Sequence, residues 1–305
     1  MAFRPLMADD LSTAEATLKK QIKPDCSASL DFTLGSIQFQ QDKITEALCN
    51  YQQAVAKFPG FRRAWRNLGL IYVRDGKHND AISAFTKMIE LGGGDAYSYG
   101  LLGFAYAAKL DYQAAEAAYR NAMLLQPEIT EWRLGISRCV FKQQKYEDAV
   151  TLLEVLIGRH PEKIDFWLLQ AQAYLGMKQP LKAAGNLEAV DHLGKSTVES
   201  LHTLGDIYVS EHLMDLASQA YVRAIDVDAS QPRARPLQSV ELLAARGALP
   251  QARQVVTHIR EVWEKQMEET DRRKLLKLEA RLSMADGTGN IDTAKVLEEI
   301  IKLDP

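Results

Sequence analysis

Apolar and polar positions along this chain follow the spacing of α-helices, and the same pattern returns every 34 residues. Its clearest marker is a column of alanines at Ala47, Ala81, Ala115, Ala149, Ala183 and Ala217. Four residues later comes a column of large side chains: Tyr51, Phe85, Tyr119, Leu153, Leu187 and Tyr221. Twelve residues before each alanine stands a small residue: Gly35, Gly69, Gly103, Ser137, Ala171 and Gly205. Six units of one length indicate a repeat array.

Each unit predicts two helices joined by a short turn. In the second unit the apolar residues form two stripes with spacings of three and four: Trp65, Leu68 and Tyr72, then Ala81, Phe85 and Met88. Gly76 lies between the stripes, where glycine commonly ends a helix. One helix pair cannot bury both of its apolar faces, so successive pairs are expected to stack.

These motifs closely resemble the signature of the tetratricopeptide repeat family. The second unit carries Trp65, Leu68-Gly69, Tyr72, Ala81 and Phe85, and the third carries Leu102-Gly103, Tyr106, Ala115, Tyr119, Ala122 and Pro127. The resemblance covers about residues 28–229. It implies an all-α fold, an α-solenoid in which antiparallel helix pairs form a right-handed superhelix. It also implies a concave groove lined mostly by the first helix of each pair.

The repeat divides the chain into three parts. Residues 1–27 are a partial repeat or N-terminal helix, residues 28–229 hold six repeats, and residues 230–305 hold two degenerate helical repeats that continue the solenoid. Within the last part we expect a long helix over about Pro250–Glu269. Trp132 is one residue out of step with Trp65 and Trp167, which predicts a slightly rotated first helix in the fourth unit.

Composition narrows the class of protein. The 305 residues are 47% hydrophobic with a formal net charge of −3, too apolar for a disordered chain and without the basic excess of a nucleic-acid binder. No apolar stretch is long enough to span a membrane, and the N-terminus lacks the apolar core of a signal peptide. Three cysteines are too few for a disulfide framework, which favours a reducing, cytoplasmic location.

Catalytic, cofactor and metal sites are not expected. The six histidines lie in different units without metal-binding spacing. Gly92-Gly93-Gly94 follows a helix and lacks the Gly-Lys-Ser/Thr of a phosphate loop, so it predicts a turn. Residues Asp286–Asp292 are rich in oxygen ligands, but Leu297 occupies the place where a calcium loop needs glutamate, so a turn is again favoured.

The candidate binding residues are those left on each first helix after the core columns are removed. They are Arg63, Arg66, Asn67, Arg74, Tyr97, Leu101, Phe104, Arg138, Leu168, Gln172, His202 and Asp206. The order runs from basic through apolar to acidic, which suits a peptide or helix with apolar anchors and with acidic residues near Arg63 and Arg66. In the alternative interpretation, Leu101, Phe104 and Leu168 pack between first helices, and the two arginines are solvated charges.

The expected function is a non-catalytic scaffold or adaptor that binds a protein or peptide partner in assembly or chaperoning of a larger complex. Two alternatives stay open. The chain is the regulatory or substrate-recruiting region of a larger enzyme, or it self-associates as a homo-oligomer through its C-terminal repeats. Neither nucleic acid nor a membrane span is expected.

Overall fold

The computed structural model describes residues 8–21, 26–229, 234–264 and 266–285, and these residues form sixteen α-helices and no strand. The predicted all-α fold is confirmed. The helices are α1 (Ala8–Gln21), α2 (Ala28–Gln40), α3 (Ile44–Lys57), α4 (Arg62–Arg74), α5 (His78–Glu90), α6 (Ala96–Ala108), α7 (Tyr112–Leu125), α8 (Thr130–Lys142), α9 (Tyr146–Arg159), α10 (Ile164–Gly176), α11 (Pro180–His192), α12 (Val198–Ser210), α13 (Met214–Val227), α14 (Ala234–Ala245), α15 (Leu249–Trp263) and α16 (Glu269–Ala285).

Consecutive helices pack as pairs, and the pairs stack on their neighbours. The chain divides into two compact units, Met1–Leu152 (unit 1) and Leu153–Pro305 (unit 2), with the boundary inside α9. In unit 1 the main pairs are α2 with α3, α4 with α5 and α6 with α7; in unit 2 they are α10 with α11, α12 with α13 and α14 with α15. The division into residues 1–27, 28–229 and 230–305 stays a prediction.

The N-terminal helix α1 packs on α2 and brings a buried carboxylate with it. Glu15 forms ion pairs with Lys19 at 2.7 Å and with Lys43 at 2.6 Å, and these two ammonium groups hold the pKa of Glu15 at about 2. The pair with Lys43 ties α1 to the turn between α2 and α3, so α1 is part of the core of unit 1.

Glycines on the first helices make room for aromatic rings from the second helices. The ring of Tyr119 on α7 reaches both α6 and α8: a Cβ added to Gly103 would lie 2.9 Å from it, and one added to Gly135 would lie 2.8 Å from it. Real Cβ atoms do not approach that closely, so these contacts require glycine. The same pairing recurs for Gly35 with Tyr51, Gly69 with Phe85 and Gly205 with Tyr221.

The prediction of a rotated first helix in the fourth unit was wrong. The helices α2, α4, α6, α8, α10 and α12 begin 34 residues apart, so α8 starts in register and only its tryptophan is displaced. One residue turns a side chain about 100° around the helix axis, which moves Trp132 into a buried column. Its ring lies over Gly100 and edge-on to Tyr97 at 5.8 Å, whereas Trp65 donates its indole N–H to the carbonyl of Pro59.

The helix predicted over about Pro250–Glu269 is shorter than expected. Helix α15 ends at Trp263, whose indole N–H donates to the carbonyl of Ala229 at 3.0 Å and fixes the end of the helix against α13. The amides of Gln266 and Met267 then donate to the carbonyl of Trp263 and turn the chain. The predicted turn at Asp286–Asp292 lies outside the described residues.

Seven first helices end in the same left-handed turn, although only two of the turns carry glycine. The residues with φ between 57° and 76° are Asp42, Gly76, Leu110, Gln144, Lys178, His212 and Gly247. At Leu110 the amide donates to the carbonyl of Ala107 at 2.9 Å, and the next amide, of Asp111, donates to the carbonyl of Tyr106 at 3.0 Å. These two bonds form a Schellman motif, which satisfies carbonyls that the helix end leaves open.

His202 is a core residue, which corrects its prediction as a groove residue. Its side chain is fully buried because α14 lies against that face of α12. The Nδ1 atom lies 3.3 Å from the hydroxyl of Ser239, and the ring lies 5.7 Å from that of Tyr221. Burial, with a smaller contribution from the charge of Arg235, lowers the pKa of His202 from 6.5 to about 4.

Replacing Leu110 with glycine is expected to stabilise the protein by about 1 kcal/mol, because glycine adopts the left-handed conformation without the Cβ clash of leucine. Leu110 is 71% exposed, so the substitution removes little packing. The free energy of unfolding from urea titration measures the effect. The matched change Gly76→Ala should destabilise by a similar amount, and a less stable Leu110→Gly protein would contradict the assignment of strain.

The buried His202 predicts a defined loss of stability in mild acid. Above pH 6.5 the imidazole is neutral in both folded and unfolded chains. Between pH 6.5 and about 4 the unfolded chain binds a proton that the folded chain excludes, so this residue lowers the free energy of unfolding on the order of 2 kcal/mol as the pH falls. Urea titrations from pH 7.5 to 5 should show a shallower decline for His202→Asn than for the wild type. The exposed control His192→Asn should keep the wild-type profile; equal slopes for the two variants would refute the prediction.

Candidate functional site

The exposed sides of α4 and α6 form one continuous surface in unit 1. The two first helices contact each other, and residues 34 positions apart occupy equivalent places on them. Arg63 is thus equivalent to Tyr97, and Asn67 is equivalent to Leu101. We call this surface the α4–α6 face and define it by Arg63, Asn67, Leu70, Arg74, Tyr97, Leu101 and Phe104.

Two aromatic side chains are the most exposed apolar groups of this face. Tyr97 is 54% exposed and Phe104 is 47% exposed. Each is held at its edge by another ring, Tyr97 by Trp132 at 5.8 Å and Phe104 by His78 at 5.9 Å. Such contacts restrict the rotamers while leaving the ring faces open. Leu101, by contrast, is half-buried and packs against the core around Phe85 and Leu102.

The arginines of the face differ in how far they are already paired. Arg74 donates from Nη1 to Asp42 Oδ1 at 2.8 Å, which ties it to the turn after α2. Arg66 lies 3.5 Å from Asp95, measured from Nε to Oδ2. Arg63 is exposed and has no ion-pair partner in the part of the chain that the structure describes. It is therefore the most available cation of the predicted set.

Arg62 is a site residue that sequence reasoning missed. Arg62, Arg63 and Arg66 together with Met88 and Gly93 line a pocket of about 210 Å³ at the start of α4. Arg62 also donates from Nη1 to the carbonyl of Gly92 at 3.1 Å. The signal was present in the sequence as a basic first turn without a carboxylate, but the groove positions were counted from Arg63 onward.

A tyrosine hydroxyl from the second helix also reaches this surface. Tyr51 on α3 donates to the Ser36 hydroxyl at 3.3 Å, and Asn67 on α4 lies within hydrogen-bonding reach of the same hydroxyl. Burial raises the pKa of Tyr51, so the hydroxyl stays protonated and offers a neutral polar group. The tyrosine column of the repeat was the available signal, but it was interpreted only as core.

Beyond α6 in unit 1, the helix α8 contributes one predicted residue. Arg138 is exposed on α8, and its neighbour Cys139 is buried. Burial raises the pKa of the Cys139 thiol to about 11, which leaves it protonated and a weak nucleophile.

The predicted site residues of unit 2 are mostly occupied by the fold. Leu168 is half-buried and packs against the core of this unit, which is the alternative that the sequence left open. Gln172 is exposed on α10. Asp206 is exposed on α12, yet it accepts a hydrogen bond from the Tyr221 hydroxyl at 2.7 Å and forms an ion pair with Arg235 at 3.3 Å. The predicted acidic end is therefore largely neutralised.

Two kinds of site were searched for over the described residues. Within them no group of three or more histidine, cysteine, aspartate or glutamate side chains is placed to hold a metal ion. Among the same helices none is both long and apolar enough to cross a bilayer.

Comparisons with known proteins identify the repeat. Residues 32–96 and 105–173 match two family models, each described as a tetratricopeptide repeat. The chain is 30% identical over 123 residues to the tetratricopeptide repeat domain-containing protein PYG7, chloroplastic, of Arabidopsis thaliana. That match spans 39% of this chain and 40% of the length of PYG7.

Solved structures show the same fold. The C-terminal part of a TPR repeat-containing protein from Cytophaga hutchinsonii superposes with a TM-score of 0.61 at 15% identity, covering 76% of this chain and 95% of that one. YrrB, described as a TPR protein with an unusual peptide-binding site, superposes with a TM-score of 0.56 at 18% identity, covering 62% and 96%. With its 34-residue helix pairs and matching repeat models, the chain belongs to the tetratricopeptide repeat family.

Proposed function

We propose that this protein is a non-catalytic scaffold that binds a segment of a partner protein on the α4–α6 face. The tetratricopeptide repeat is a protein–protein interaction fold, and proteins built from it are generally non-catalytic scaffolds. The observation that carries the proposal is the pair of exposed rings, Tyr97 and Phe104, beside the unpaired Arg63. Aromatic residues and arginine are the side chains enriched at binding hot spots.

The arrangement favours a segment with apolar anchors and nearby acidic residues. The open ring faces of Tyr97 and Phe104 accept an aliphatic or aromatic side chain, since each ring is held only at its edge. Arg63 and Arg66 then lie on the side where a carboxylate of the partner binds with charge-assisted hydrogen bonds. A peptide-binding site described for the similarly folded YrrB supports a peptide as the class of ligand. Under this proposal the protein assembles or chaperones a larger complex in the cytoplasm and needs no cofactor.

Selection from a random-peptide display library tests this function without knowledge of the natural partner. The wild-type chain is expected to enrich peptides that combine apolar with acidic residues. The double change Tyr97→Ser and Phe104→Ser should weaken the selected peptides roughly 30-fold, a loss of about 2 kcal/mol, because it removes both anchors.

The matched control is Leu124→Ser on α7. Leu124 is 78% exposed and lies on a second helix, away from the α4–α6 face, so its loss should leave peptide affinity unchanged. Thermal unfolding of both variants checks the fold, and the melting temperatures should stay close to that of the wild type. Unchanged affinity in the Tyr97 and Phe104 variant would contradict the proposal.

A further inference from the structure

Three guanidinium groups converge on one pocket at the start of α4. Arg62, Arg63 and Arg66 line it, and Met88 and Gly93 form its remaining wall. The volume of about 210 Å³ exceeds the space of a single water molecule several times over. Aliphatic surface on one wall and cations on the others make it a pocket for a compact anion.

The charges around this pocket are mostly uncompensated. Among the described residues, Asp95 is the one carboxylate paired with these arginines, at 3.5 Å from Arg66 Nε. The Asp95 carboxylate is also engaged elsewhere, since its Oδ1 accepts a hydrogen bond from the amide of Ser98 at 2.7 Å. Three positive charges against one shared negative charge leave an excess of about two, which matches a dianion.

The position on the helix makes the free pocket unfavourable. The first turn of a helix carries partial positive charge and normally favours carboxylates. Helix α4 has no acidic residue in its first turn and instead begins with Arg62 and Arg63. An anion bound there relieves repulsion between the arginines and offsets the helix dipole at the same time.

The loop opposite the arginines is built to let them approach. A Cβ added to Gly93 would lie 2.9 Å from the carbonyl oxygen of Met88 and 3.2 Å from Cδ of Arg62. Glycine at this place therefore allows the stem of Arg62 to lie against the loop, while the Gly92 carbonyl accepts a hydrogen bond from its guanidinium. The equivalent positions in three other repeats are the prolines Pro59, Pro127 and Pro161.

We propose that the Arg62–Arg63–Arg66 pocket binds the phosphoryl group of a phosphorylated side chain in the partner segment. The inference rests on the proposed function, because the pocket adjoins the α4–α6 face through Arg63. A phosphoryl group carries nearly two negative charges and three acceptor oxygens, so it matches three guanidinium groups better than a carboxylate with one charge and two oxygens. The partner's phosphorylation state then controls its binding.

Three degenerate peptide libraries of equal length and composition test the proposal. One is centred on phosphoserine, one on serine and one on glutamate, and each is passed over the immobilised full chain at 0.15 M salt. The phosphoserine library should be retained about tenfold more than either of the others. Free inorganic phosphate should compete for this difference, and the preference should shrink as salt rises.

The variant Arg62→Gln removes one guanidinium outside the α4–α6 face and should abolish most of the phosphoserine preference. Arg159→Gln, an exposed residue with the same change in charge, should keep it. Equal retention of the phosphoserine and serine libraries overturns the phosphoryl pocket, as does equal retention of the phosphoserine and glutamate libraries.

The Tyr97→Ser and Phe104→Ser variant separates the two proposals. If the wild type binds all three libraries equally and this variant binds none, the pocket proposal fails and the proposed function stands. If the variant keeps a tenfold phosphoserine preference, the pocket stands and the aromatic anchors of the proposed function fail.

Discussion

The contact between an aromatic ring on a second helix and a glycine on a first helix is the constraint on which the rest of this fold depends. In unit 1 the ring of Tyr119 fills the space at the backbones of α6 and α8, where Gly103 and Gly135 have no Cβ to obstruct it. The size of the ring fixes how closely neighbouring first helices approach. Because this contact returns with the repeat, the first helices start every 34 residues without exception from α2 to α12.

The same packing decides which side chains are free to bind a partner. The column that contains Gly100 and His202 turns toward the next first helix, and it is covered there by Trp132 in unit 1 and by α14 in unit 2. The column that contains Arg63 and Tyr97 lies one residue away on the helix and remains exposed. Binding residues can therefore vary from repeat to repeat while the core columns stay the same, which is how one scaffold serves different ligands.

That one-residue difference explains how far the sequence alone could predict the site. The period, the helix pairs and the small and aromatic columns were predictable because each is repeated six times. His202 was placed in the groove because its burial depends on the position of α14, a helix of a degenerate repeat whose packing no column records. Leu110 gave no sign of a turn because backbone hydrogen bonds, rather than a glycine, hold it in the left-handed conformation.

Affinity and selectivity have separate origins on this surface. The open rings of Tyr97 and Phe104 bury apolar groups of almost any shape, so they supply binding energy with little discrimination. The arginines at the start of α4 act in the opposite way, because desolvating them without a matched anion costs free energy. Their repulsion weakens the free chain slightly, and nothing in the packing of α4 requires it, since all three side chains are exposed. A cost without a structural return is the pattern expected of residues retained for a ligand.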